Sequence, residues 1–434
     1  SKRPEVWISP SSAPSTFFPT VSPTSYEWNF NSEIISDQES FGHIVRLSSK
    51  GNILVVYSPS FTAGKGRFYV YAYDESSLEE KWSQLDVISG EHDVETNIYD
   101  SFYHGVQLSD DGSTVAFGSP GNGYGLVQIY HIDIMSHKVI PKGQAIEGPA
   151  ILSQFGYSLA FNFNGTRLFI GAPNYAVSET DISGLVRAYD YHDNTNTWVQ
   201  VGSDMLGKSS GSRFGSSVGS GSDGTKIMIG APHDSTVYEN GGRIYFFTMN
   251  EDNVWYHYPL NDVYGSMTGS QLGSLLEVDE TGDFVVTRME KSNDESFPNA
   301  GVVSVYFFQE QRQMIEILGI PISGTHQNAK FGRHVDITSE AGVLVVSEQN
   351  NEERAGDVQA YYSTFGFFQI DGNVIRGPSK GSCEPASQGP SVSLASMTGR
   401  RLAIGYECIL VDGRTKSAVH IYDIFTVDEQ ILYP

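Results

Sequence analysis

Carboxylates are the side chains this sequence offers most freely for chemistry, and many gather in four long, mutually unlike segments: NYAVSETDISG, HDSTVYENGG, EKSNDESFPNAG and QNNEERAG. In or beside these stand Glu179, Asp181, Asp234, Glu239, Glu290, Asp294, Glu295, Glu348, Glu352 and Glu353. Carboxylates on one rim suit a cation, calcium being the hard ion that takes many oxygen ligands, or a basic protein surface. Solvated loop charge looks the same in a sequence. A carboxylate pair is also what a glycosidase or lyase needs, but spacing along a chain does not measure the separation of two carboxyls in space.

A second group of candidates is smaller. His43 and His104 fall at the same place in successive units of a repeat, with Tyr157 and Arg333 at that place in later units and His334, Glu277 and Asp336 nearby. Two equivalent histidines are the start of a metal site, yet no third ligand at matching depth accompanies them, and packed, hydrogen-bonded rings are the simpler reading. The chain has no HExxH and no GxSxG placed between a strand and a helix. Its Gly-rich stretch Lys208–Gly224 belongs to the repeat and is not a phosphate cradle.

With 27 basic and 51 acidic residues the formal charge is −24. Nucleic acid is excluded as a partner, because a phosphate backbone needs a basic face, and anionic membrane surfaces are disfavoured for the same reason. No apolar run approaches the roughly 18 residues of a membrane span. Residues 9–25 read SPSSAPSTFFPTVSPTS, a chargeless Ser/Pro/Thr tract expected to be an extended linker or stalk; the domain expected to fold is 26–434. The chain opens on Ser1 without a signal-peptide pattern, so a secreted protein would be a processed form.

Positioning those side chains is the work of a repeat. The phrase FGYSLAFNFNGTRLFIGAP from Phe155 returns as FGSSVGSGSDGTKIMIGAP from Phe214. Its opening falls at Phe41-Gly42, Phe102-Tyr103, Phe155-Gly156, Phe214-Gly215, Leu272-Gly273, Phe331-Gly332 and, degraded, Gln388-Gly389, with spacings of 61, 53, 59, 58, 59 and 57 residues. Each unit runs through a short strand, a tight turn such as SDDG, FNG, SDG or ETG whose Gly supplies a positive φ, an apolar second strand, a variable loop, an aromatic third strand and a weaker fourth. Four strands per unit, seven units and no helical periodicity predict an all-β, seven-bladed β-propeller of four-stranded antiparallel blades. The last blade lacks its own fourth strand, and the segment around Trp28 resembles the others better than DEQILYP does. Supplying it from the N-terminus closes the ring and leaves no open edge.

The FG start, the DG turn, the Gly-Ala-Pro and the aromatic strand after it together resemble the FG-GAP repeat of integrin α subunits over residues 26–434. The phrase is full in the third and fourth units and eroded elsewhere. The resemblance implies an extracellular or cell-surface setting, with adhesion or ligand binding on the face formed by the loops between strands two and three. It does not extend to calcium. Integrin blades bind it in D-x-D-x-D-G turns, and the turns here are too short and too poor in carboxylates, so no cofactor is expected and the acidic loops are the one place calcium could sit. The expected function is an extracellular binding, adhesive or structural module whose partner is a protein or polysaccharide of the cell surface or matrix. A carbohydrate-active enzyme, glycosidase or lyase, working in the channel or on the acidic face is the alternative, with a lectin propeller as a third reading.

Two covalent expectations accompany that setting. Asn164-Gly165-Thr166 is the only N-x-S/T sequon and falls on a first-turn tip, so Asn164 is the expected glycan carrier. The two cysteines, Cys383 and Cys408, both fall in the seventh unit on one face. A bridge there would close a loop of about 25 residues and contribute roughly 3–4 kcal/mol; two buried thiols in a reducing compartment are the other possibility.

Overall fold

Second strands such as ILVVYS, RLFIGA and KIMIGA are almost wholly apolar, as strands covered on both faces are. In the computed structural model both faces are covered by neighbouring blades. Leu168 and Ile170 of the strand Arg167–Ala172 pack toward the preceding blade, and Phe169 between them packs toward the next. The structure describes residues 26–38, 40–59, 66–77, 81–89, 105–121, 123–178, 181–290, 299–309, 314–339, 342–349, 354–364, 367–381, 389–397 and 400–426.

Seven antiparallel sheets follow one another along the chain, each counted outward from a short inner strand. Blade three is the pattern: Ser158–Phe161, Arg167–Ala172, Leu185–His192 and Thr197–Leu206, paired in chain order. In blades two and four the fourth strand is split in two, into Lys138–Pro141 and Ile146–Glu147, and into Trp255–His257 and Val263–Tyr264. The expected seven-bladed propeller is the observed fold. Among the described residues seven apolar clusters occur, one at each junction of adjacent blades, including the junction of the seventh with the first.

Closure follows the expected route. Tyr26–Ser36 pairs antiparallel with Arg414–Thr426, so the N-terminal segment is the outermost strand of blade seven. Gly112, Gly165, Gly224 and Gly282 adopt the positive φ their turns require. Gly342 does not, and blade six turns without it. The starts Phe41, Phe155, Phe214, Leu272 and Phe331 are all fully buried; Phe102 lies outside the described residues.

The repeated phrase is a contact between blades. A Cβ on Gly171 or Gly230, the glycines of the two full Gly-Ala-Pro sequences, would stand 2.2 and 2.0 Å from the carbonyl oxygens of Gly215 and Gly273 in the next blade. Ser158 and Ser217 donate their hydroxyls to those same two carbonyls, each at 2.8 Å. The FG glycine of one unit therefore docks against the Gly-Ala-Pro glycine of the unit before it.

Candidate functional site on the ring axis

The innermost strand of each blade is a sheet edge, and its unpaired groups must find partners across the junction or in water. In blades six and seven a polar side chain five residues after the start meets that need. Ser393 accepts a hydrogen bond from the Leu47 N–H at 3.0 Å, and Asp336 accepts from the Leu394 N–H at 2.7 Å. The full set at this position, blade by blade, is Arg46, Gln107, Ala160, Gly219, Glu277, Asp336 and Ser393.

Arg46 belongs to blade one and Glu277 to blade five, yet a guanidinium nitrogen of Arg46 stands 3.5 Å from the Glu277 carboxylate. Blades this far apart in the ring meet only across its axis. Both side chains are largely shielded, at 12% and 23% exposure.

Three residues further on, at the first turns, a second tier encloses the same axis. Glu280 of blade five accepts hydrogen bonds from Ser339 of blade six at 2.9 Å and Ser396 of blade seven at 2.6 Å. The main chain of these turns is knitted blade to blade: the Ser49 N–H donates to Asp110 O at 2.8 Å, Asp111 to Phe163 at 3.1 Å, Phe163 to Ser222 at 2.9 Å and Ser222 to Glu280 at 2.9 Å. Ser339 to Ser396 at 3.3 Å and Met397 to Ser49 at 3.1 Å continue the collar through the closing junction.

Packing carboxyls around this axis changes their acidity. Burial, more than Arg46 opposes it and with Asp336 adding to it, pushes Glu277 up to about 7. Asp336 is raised too, by burial, against the pull of the Leu394 N–H and Arg46. Asp110 rises to about 8, first through burial and then through Glu280, Asp336, Asp111 and Glu277. A carboxyl that keeps its proton near neutrality is a proton donor at working pH, and a neighbour that has lost its own is an acceptor. As an interacting pair, Glu277 and Asp336 titrate together.

The described loop carboxylates differ in place and exposure. Asp234 is buried in blade four, accepting from Tyr245 Oη at 3.1 Å and the Thr236 N–H at 2.9 Å. Around it Arg243 donates to Asp262, which also bonds His257 at 2.9 Å. Glu348 is buried as well and accepts from Gln359 at 2.9 Å. Glu290 stands 3.7 Å from Arg288, Asp181 is half-buried and Glu239 is exposed. Glu179, Asp294, Glu295, Glu352 and Glu353 lie outside the described residues.

Of the histidines, His43 bonds Glu407 across the junction of blades one and seven, and His104 lies outside the described residues. Among the described residues no group of three or more His, Cys, Asp or Glu side chains is disposed to hold a metal ion. Asn164 is exposed on its turn, with its side-chain oxygen accepting from Thr166 Oγ1 at 2.7 Å. Cys408 is buried, its sulfur 3.3 Å from the Gly381 carbonyl oxygen; Cys383 lies outside the described residues. Among the described residues no helix is long and apolar enough to cross a membrane.

Fold and site together define a seven-bladed propeller with an acid-lined axis. No protein-family model matches the chain, and no curated protein does, so the FG-GAP likeness rests on the quoted residues alone. Solved structures share the architecture. An oligogalacturonate lyase in complex with manganese aligns with a TM-score of 0.51 at 11% identity, over 92% of this chain and 97% of that one. A candidate 6-phosphogluconolactonase from Bacteroides fragilis aligns with a TM-score of 0.51 at 11% identity, over 77% and 84%.

Proposed function

We propose that this protein is a carbohydrate-active propeller whose axial carboxyls, Glu277 and Asp336, carry out proton transfer on a sugar. The observation behind the reading is their placement at one position of adjacent inner strands, both with raised pKa, facing Arg46 across the axis. In this scheme the protonated member donates to a leaving or carbonyl oxygen, the ionised member accepts from an attacking water or a carbon acid, and Arg46 steadies developing negative charge. Two proteins with the same fold bear sugar-processing names, a lyase and a lactonase, and the reading agrees with them. The binding or adhesive role expected from the FG-GAP resemblance gains no comparable support, since two of the loop acids it relied on, Asp234 and Glu348, are buried in structural bonds.

The test is a panel of neutral, amino and uronate oligosaccharides and sugar lactones, followed by reducing ends, absorbance of unsaturated products and lactone opening. Turnover by the wild type that is lost in both Glu277→Gln and Asp336→Asn supports the proposal. Wild-type turnover that survives in both variants removes it.

The proposed setting is extracellular, supported by the exposed sequon at Asn164 and by the two cysteines assigned to one blade. Native material should lose mass on glycosidase treatment and show no titratable thiol when denatured without reductant. Two thiols and an unchanged mass would place the protein in a reducing compartment instead.

A further inference from the structure

The break in the fourth strand of blade four brings two side chains together. His257 ends the strand Trp255–His257, the 3₁₀ turn Pro259–Asn261 follows, and Asp262 precedes the strand Val263–Tyr264. The turn carries the Asp262 carboxylate back to the imidazole, with its two oxygens 2.9 and 3.0 Å from His257 Nε2. The Tyr245 and Phe247 rings lie against the imidazole, at 5.3 and 5.0 Å between centroids, and hold its plane. Arg243 donates to the same carboxylate. The Asp262 side chain is completely buried and that of His257 is 10% exposed.

The other ring nitrogen meets a lysine. Lys208 is exposed, and its ammonium stands 2.6 Å from His257 Nδ1. A carboxylate only accepts and an ammonium only donates, so Nε2 carries the ring proton and Nδ1 presents its lone pair to Lys208. The repeat does not require a lysine at this place. The Gly207 N–H donates to Gly184 O, and Gly148, Gly265 and Gly324 make the equivalent bond in their connections, where the residues that follow are Pro149, Ser266 and Thr325. Lys226 and Lys416 pair instead with the carboxylates of Asp283 and Asp37, partners that favour the charged ammonium. An imidazole gives the amine a place to leave its proton.

We infer that Lys208 is a covalent capture site for small aldehydes, with His257 as its base and Asp262 as the group that orients that base. A lysine attacks a carbonyl only once its ammonium has lost a proton, and a base in hydrogen-bond contact, itself held by a third group, is how such nucleophiles are activated. His257 Nδ1 takes that proton along the existing bond, and Asp262 offsets the imidazolium charge. The Nζ lone pair bonds the carbonyl carbon while the C=O pair moves to oxygen, which takes a second proton from the nitrogen. The imidazolium then returns its proton to the new hydroxyl, water leaves, and a protonated imine remains on Lys208. The condensation needs no redox partner, and the inference does not rest on the axial chemistry.

The test is reductive trapping of the full chain with glycolaldehyde and cyanoborohydride near neutral pH, followed over time by peptide mass mapping. The added hydride converts the imine to a stable secondary amine. Lys208 should be labelled about 10-fold or more faster than Lys50, an exposed lysine in the first turn of blade one that serves as the internal reference. In His257→Gln the amide can keep both hydrogen bonds but cannot take up the proton. Labelling of Lys208 in that variant should fall to the rate of Lys50, with Lys50 itself unchanged. Wild-type Lys208 labelled no faster than Lys50, or a folded His257→Gln that keeps the wild-type rate, overturns the inference. Should the variant misfold, the ratio of Lys208 to Lys50 in the wild type decides alone.

Discussion

At the scale of single residues, Asp110 gives the axial cluster a signature in stability. Its native pKa of about 8 lies above the roughly 3.9 of an unfolded aspartate. Between those values the folded protein holds a proton that the unfolded chain has released. The contribution is therefore fully present below about pH 4 and lost as pH rises through about 8. Asp110→Asn should raise Tm at pH 8.5, by about 1 °C for each kcal/mol relieved in a domain of this size, and leave Tm at pH 4 nearly unchanged. Thermal melts of both proteins at the two pH values check this, and a variant that melts lower than the wild type at pH 8.5 contradicts it. Glu277 and Asp336 were visible in the sequence as polar residues on inner strands, though grouped with His334 as a possible ligand set. Arg46, Asp110 and Glu280 were not, because their relation spans the ring and exists only once blade one closes on blade seven. Counting five and eight residues from each start would have aligned the two tiers.

At the scale of elements, the FG-GAP phrase was legible as a repeat, while its purpose was not. Spacing shows that glycines recur; only the packed junction shows that they meet. A methyl on Gly230 would lie 2.0 Å from Gly273 O and 2.3 Å from Ser217 Oγ, with no flexible chain end able to yield on the backbone side. Gly230→Ala should destabilise by about 2–3 kcal/mol through overpacking of the junction between blades four and five. Denaturant melts would show a lower midpoint with the slope preserved, and an unchanged midpoint would mean the junction tolerates what its geometry forbids. The eroded units bear out the logic locally. Where Arg288 takes that glycine's place in blade five, its Nε–H donates to Phe331 O at the start of blade six at 3.1 Å, so a side chain makes the contact with the next blade. The variable loops were the least legible elements, since burial of Asp234 beside Tyr245 depends on side chains from separate strands that no turn signal announces.

At the scale of the whole molecule, stability depends on a closed ring of complete blades, and the strand Tyr26–Ser36 completes the seventh. Removing residues 1–25 should leave the melting temperature nearly where it was. Removing 1–36 should lower it clearly and promote aggregation, because Arg414–Thr426 would then present an unpaired edge. Equal melting of the two truncations would contradict closure by this strand. The same ring brings Arg46 to Glu277 and gathers carboxyls from blades two, five and six at one axis, and the central claim is that this gathering serves acid–base chemistry on a sugar. The most direct measurement is the pH dependence of kcat/KM, for the wild type and Glu277→Gln, on the panel saccharide or lactone turned over fastest. The account predicts a limb near pH 7 in the wild type, from a carboxyl held at about 7, and in the variant a loss of about 100-fold or more together with that limb. A panel on which the wild type turns over nothing, or a variant that keeps both rate and limb, would contradict it.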